Sequence, residues 1–205
     1  MKLIVKDTLI LFLITFIVAA ILGVAYVGTK DQIEVSKQAK MEAAWQEVLP
    51  DGKSFEENEN MNYDEINNKL GLAGYTNSMI TQVLTAKNTE GEEVGYVIGV
   101  ESSEAYNGSI TFYMGLDLSG KLSKISLLQI AETPGLGMQA EEILVPQFSD
   151  KKVEQFQYTK TKGTLDEEID VISGATITTN AIVNGVNAGL YYYQHLIGGT
   201  KNENM

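Results

Sequence analysis

Four hydroxyl side chains crowd the stretch DVISGATITTN, Asp170 to Asn180, in a chain with no cysteine and one histidine. Ser173, Thr176, Thr178 and Thr179 surround Gly174-Ala175, between a predicted strand end and a predicted helix start. Backbone N–H groups at a helix start lack intrahelical partners, and the helix dipole favours an anion beside them. Gly174 permits a turn and a close approach, while Ser173 and Ala175 leave room for a bulky group. A phosphate would suit this place. Ser and Thr are also ordinary N-caps, and in isolation the stretch is most simply read as a cap.

A second stretch, AETPGLGMQ, follows a predicted strand ending near Ile130. Thr133-Pro134-Gly135-Leu136-Gly137 is a stiffened loop that offers bare backbone N–H and C=O groups with one apolar side chain between them. Such a surface suits a flat heteroaromatic ring. The glycines let the backbone reach the ring edge, and Leu136 covers a face. Taken alone, this stretch is equally a turn between strand and helix.

Composition narrows the chemistry. Without cysteine there is no thiolate nucleophile, no disulfide, no iron–sulfur ligand set and no structural zinc of the usual kind. A single His195 cannot build a histidine-rich metal site, so no metal site is expected. Electron transfer by this chain would need a borrowed cofactor. All 15 basic residues are lysine, and the net charge is −12. Without arginine's bidentate fork, an acidic chain is a poor nucleic-acid binder. The missing arginine itself reads as a compositional bias towards Lys, Ile and Asn.

The elements that must position the two loops are legible in outline. No charge interrupts the chain from Thr8 to Thr29, which as a helix spans a bilayer core of roughly 30 Å. Lys2 and Lys6 precede it, which predicts a cytoplasmic N-terminus. After residue 28, 13 lysines face 26 acids, so the remainder is expected outside the cell membrane. A signal peptide cleaved after Gly23-Val24-Ala25 is the alternative, but the apolar run continues past that site. Ile33 to Leu49 suits an amphipathic helix with Ile33, Ala44 and Val48 on one face and Trp45 as a packing residue. PDGKSFEENENMNYDEINN reads as a solvated linker or irregular loop.

From Ser78 onward four β-branched and aromatic runs are joined by turn signals, including Asn107-Gly108, and predict an antiparallel meander. MQAEEILVPQF predicts a short helix ending near Pro146. VEQFQYTK and EEIDVI predict further strands. The final helix carries Ile182, Val186, Leu190 and Tyr193 at helical spacing, with Gly185 and Gly189 for close packing. His195 falls in its last turn, where a cation suits the dipole.

Together the two loops are specific. Asp170-x-x-Ser173-Gly174-Ala175-Thr176 resembles the flavinylation signal of the FMN-binding domain family, and Glu132 to Gly137 resembles the matching flavin loop. With one N-terminal anchor, the chain resembles the G subunits of Rnf electron-transport complexes over nearly its whole length. The resemblance implies an α+β fold: an N-terminal transmembrane helix, then an exported FMN-binding domain with an antiparallel sheet and packed helices. It implies one covalent FMN, held by a phosphoester to Thr176. It also implies a flavin transferase that uses FAD and reads Asp170 and Ser173 to Thr176. Thr178 and Thr179 become candidates for capping or phosphate contact. The implied partners are the other membrane and peripheral subunits of an ion-pumping ferredoxin:NAD oxidoreductase, and the implied location is the cell (inner) membrane. The expected organisation is an anchor over 1–29, an amphipathic helix and acidic linker over 30–77, the FMN domain over 78–198 and a flexible tail over 199–205. The alternatives are the FMN subunit of a sodium-pumping NADH:quinone oxidoreductase and a cofactor-free anchored scaffold.

Overall fold

The computed structural model describes residues 2–57 and 61–197, so the expected tail at 199–205 lies outside the described residues. The chain divides into two compact units, Met1–Met41 and Glu42–Met205.

The first unit lies within helix α1 (Lys2–Val48). Its apolar side chains from Ile4 to Val27 are exposed, which no water-facing helix of this composition tolerates. Thr8, Thr15 and Thr29 turn their hydroxyls back to the carbonyls of Ile4, Leu11 and Ala25, at 2.8, 3.0 and 2.9 Å. That satisfies the donors without water, as a lipid environment requires. This one helix is long and apolar enough to cross a membrane and has the character of an anchor. The helix does not break at residue 29 or 30, and Ile33 stays exposed while Ala44 and Val48 are buried.

The second unit is built on a five-stranded antiparallel sheet in the order β1 (Ser54–Glu57), β2 (Ser78–Lys87), β3 (Glu93–Ala105), β4 (Gly108–Asp117), β5 (Leu122–Gln129). The predicted meander is β2 to β5. The predicted linker is not an irregular loop: it supplies the edge strand β1 and helix α2 (Tyr63–Leu72). Asn62 caps α2 by accepting the Glu65 N–H, and Asn67 clamps both the N–H and the carbonyl of Ile80 in β2. The Tyr63 hydroxyl donates to Glu57 and accepts the Val83 N–H; burial, then the Glu57 bond, pushes it up to about 12.

Strand β4 shows how the sheet is covered on both faces. Side chains alternate across a strand. Phe112 and Met114 meet helix α4 (Thr176–Tyr192), while Tyr113 stacks edge-on with Trp45 and Gly115 lies against Val48. A Cβ on Gly115 would stand 2.2 Å from the Val48 carbonyl oxygen, so only glycine admits the end of α1 here. Glu47 fastens the same helix end to Lys124 and Ser126 of β5, bonds that hold its carboxyl below the usual carboxylate range.

On the other face α4 crosses β3, buried along nearly its whole length. Ala181, Ile182, Val186 and Leu190 join Ile98, Val100, Phe112 and Met114 in one core. Gly185 and Gly189 are the close-packing positions: a Cβ at either would strike Phe112 or Met114.

Between sheet and helix the chain is less regular than predicted. The short helix is a 3-10 turn (Gly137–Gln139), α3 (Ala140–Ile143) and a second 3-10 turn (Val145–Phe148), with Pro146 inside that turn rather than ending a helix. Proline lacks the N–H an α-helix interior needs but fits a first turn. The last two predicted strands shrink to β6 (Gln157–Thr159) and β7 (Glu168–Asp170), a separate parallel pair.

Candidate functional site

The two loops singled out in the sequence meet in one cleft of about 510 Å³, a usual size for a small-molecule site. Glu132, Thr133, Leu136 and Gly137 form one wall, and Gly174 to Thr178 form the other. Tyr106, from the turn between β3 and β4, closes a third side.

The first wall begins where β5 has ended. Gly135 takes φ +77°, open to glycine at little strain, and the turn closes with the Leu136 N–H on the Thr133 carbonyl at 3.1 Å. Leu136 projects, 41% exposed, and its Cδ2 lies 3.1 Å from where Gly174 would carry a Cβ. Gly137 is buried at the seam between the walls. A Cβ there would stand 2.7 Å from both Glu132 Cβ and Thr178 Oγ1. Pro134 and Gly135 face the outer side of the loop, towards a second hollow near Met138, Glu141 and Glu142.

The second wall is the start of α4. Gly174 has φ +78°, and Ala175 stands at the N-cap with no side-chain cap bond. The plain-cap reading of the hydroxyl stretch is therefore not what the structure shows. Thr179 instead reaches back: its hydroxyl donates to the Ala175 carbonyl at 3.1 Å and accepts the Ile172 N–H at 3.2 Å. That latch holds the loop in shape and engages the Thr179 hydroxyl with both Ala175 and Ile172. Thr178 is buried and lines the cleft. Thr176, half-buried, is the first residue of α4, and its N–H begins the open turn.

Like Pro134, Gly135 and Thr179, the predicted residues Ser173 and Asp170 do not line the cleft. Ser173 is exposed. Asp170, in β7, accepts the Gly163 N–H at 2.6 Å, and its own N–H donates to Gln147 at 2.7 Å. His195 lies far along the chain in a π-helical turn (Tyr193–Ile197), stacked on Tyr191 at 4.2 Å, in keeping with a structural role.

The electrostatics are lopsided. Among the described residues lining the cleft none is lysine, and Glu132, 5% exposed, is the one carboxylate. Its Oε1 accepts the Tyr106 N–H at 2.8 Å. No group of His, Cys, Asp and Glu that could hold a metal occurs among the described residues. An anion in this cleft meets backbone N–H groups, the dipole of α4 and threonine hydroxyls, but no cationic side chain among the described residues.

Tyr106 and Ile177 escaped the sequence reading. Both are exposed, at 70% and 53%. The Asn107-Gly108 turn signal predicts the place of Tyr106 at a hairpin tip, but not which loop lies opposite. Glu104 was also missed: it gathers the side-chain amides of Asn77, Asn180 and Asn184, tying the end of β3 to α4.

The family model described as FMN-binding domain matches residues 105–191, which include both loops and Tyr106. The G subunit of the Na(+)-translocating ferredoxin:NAD(+) oxidoreductase complex of Acetobacterium woodii is 31% identical over 95% of this chain and 94% of its own. The G subunits of the ion-translocating oxidoreductase complexes of Pseudoalteromonas atlantica and Methanosarcina acetivorans are 28% and 29% identical. They align with 94% and 93% of this chain and 89% and 95% of theirs. Among solved structures, Shewanella oneidensis NqrC aligns with 59% of this chain and 61% of its own, at 16% identity and a TM-score of 0.49. On the full-length similarity to the Acetobacterium protein, the chain belongs to the family of G subunits of ion-translocating oxidoreductase complexes.

Proposed function

We propose that this chain is the electron-relaying flavoprotein subunit of an ion-translocating ferredoxin:NAD oxidoreductase, with one FMN joined to Thr176 through a phosphoester. The observation that carries the reading is the convergence of Glu132–Gly137 and Gly174–Thr178 on one cleft, at the uncapped start of α4. When bound, FMN supplies reversible one-electron chemistry that no side chain of this chain offers.

The residues present fit the group. The first-turn N–H groups of α4 face the place of a phosphate attached at Thr176. Gly174 and Gly137 let backbone approach a ring edge, and Leu136 offers an apolar face. Without a lysine in the wall, a free dianionic phosphate would be held weakly by an acidic chain. A covalent bond removes that weakness. In the attachment step the Thr176 oxygen displaces AMP from FAD: one P–O bond forms, the pyrophosphate bond breaks and the threonine proton is lost. A flavin transferase provides that catalysis, with Asp170 and Ser173 to Thr176 as its recognition segment. The N-terminus is assigned to the cytoplasm and the flavin domain to the extracytoplasmic side of the cell membrane.

Flavin fluorescence of the denatured chain, resolved on a gel after co-expression with a flavin transferase, tests the attachment. A fluorescent wild-type band is expected, dark in Thr176→Ala; a dark wild-type band contradicts it. Co-purification with a tagged chain tests the setting. Subunits that reduce NAD with ferredoxin are expected, and a quinone-reducing set would move the chain to the other pump.

A further inference from the structure

We propose that the Glu132 carboxylate holds the reduction potential of the bound flavin down, as an uncompensated negative charge in the cleft wall. The inference rests on the flavin reading above. Glu132 is 5% exposed, and its stem packs against Gly137, where a Cβ would stand 2.7 Å from Glu132 Cβ. Its Oε1 is pinned by the Tyr106 N–H at 2.8 Å. The charge is therefore fixed in place rather than free to swing into solvent.

No cationic side chain among the described residues pairs with it. None of the described residues lining the cleft is lysine, and none of the four ion pairs among the described residues includes Glu132. Burying a carboxylate without a cation is unfavourable. A glutamine would accept the same Tyr106 bond with no charge to bury. The hydrogen bond alone therefore does not require a carboxylate here, and what the carboxylate adds is a negative field on the cleft. An electron added beside a fixed negative charge is opposed by Coulomb repulsion, which shifts the equilibrium towards the oxidised form.

The test is a potentiometric titration of the full chain in detergent, followed by visible absorbance, with the intact mass of each sample confirming attached flavin. Glu132→Gln keeps the acceptor for Tyr106 and removes only the charge. Its reduction equilibrium is expected to shift at least tenfold towards the reduced form, about 59 mV for a one-electron couple. Glu132→Ala, which also loses the Tyr106 bond, is expected to shift the same way. Glu132→Asp, which keeps the charge, stays within about twofold of the native equilibrium. A flavin-bearing Gln or Ala variant with the native potential overturns the proposal and leaves Glu132 as a brace for the Tyr106 turn. A wild-type chain with no flavin mass sinks the underlying reading, and this inference with it.

Discussion

The two ends of α4 are finished in opposite ways. At its C-terminal end every turn is fastened. The Tyr193 hydroxyl lies 3.0 Å from the Leu118 carbonyl, His195 stacks on Tyr191, and Tyr191 packs on Tyr75. In the middle, Asn187 grips both backbone groups of Phe156, at 2.8 and 2.9 Å. At the N-terminal end no side chain caps the helix, and the chain enters through a glycine with positive φ. One helix thus carries its stability in its body and leaves its start open, where an anion can complete it. Stability and site are separable along 17 residues.

That separation can be broken at graded cost. Asn187→Ala strands a buried N–H and a buried carbonyl of Phe156 and is expected to lose about 3 kcal/mol in denaturant unfolding of the detergent-solubilised chain. Gly189→Val drives a side chain into Met114 in a filled core, and about 2 kcal/mol is expected, read the same way. Thr179→Val removes the latch on Ile172 and costs about 1 kcal/mol, but at the open end. Flavin loading should therefore fall in this variant while the thermal midpoint drops by only about 2–4 °C, whereas Asn187→Ala should lower the midpoint about three times as far. His195→Ala touches an exposed stack and an exposed 3.1 Å contact of Nδ1 with the Tyr191 carbonyl, and is expected to stay within about 0.5 kcal/mol. A larger fall of the midpoint in Thr179→Val than in Asn187→Ala would reverse the assignment of body and open end.

What was legible follows from which forces leave a trace in sequence. The uncharged run from Thr8 to Thr29 announces an anchor, because a bilayer demands continuous apolar surface. The meander is legible because its strands are apolar and its turns use Asn-Gly and Ser-Gly. Edge strand β1 is not, because it pairs by backbone bonds and buries only part of Phe55, so SFEE has no apolar alternation to read. Helix α2 was hidden by its asparagines, which suggest a loop. Asn62 is in fact a cap, and Asn67 imitates a strand partner for Ile80. At the site, both loops were legible as motifs. Their meeting came from the family resemblance and not from the residues themselves, since it depends on Gly137 admitting Glu132 and Thr178 to one seam. Tyr106 is invisible for the same reason: its place in the cleft is set by Glu132, 26 residues away in the chain.

The most direct test of the account is the intact mass of the denatured chain purified from its native host, beside Thr176→Ala and Thr176→Ser. The account predicts a gain of one FMN less one water in the wild type, retained where serine supplies the hydroxyl and absent with alanine. An unmodified wild-type mass in a host with an active flavin transferase, or the same gain in Thr176→Ala, would contradict it.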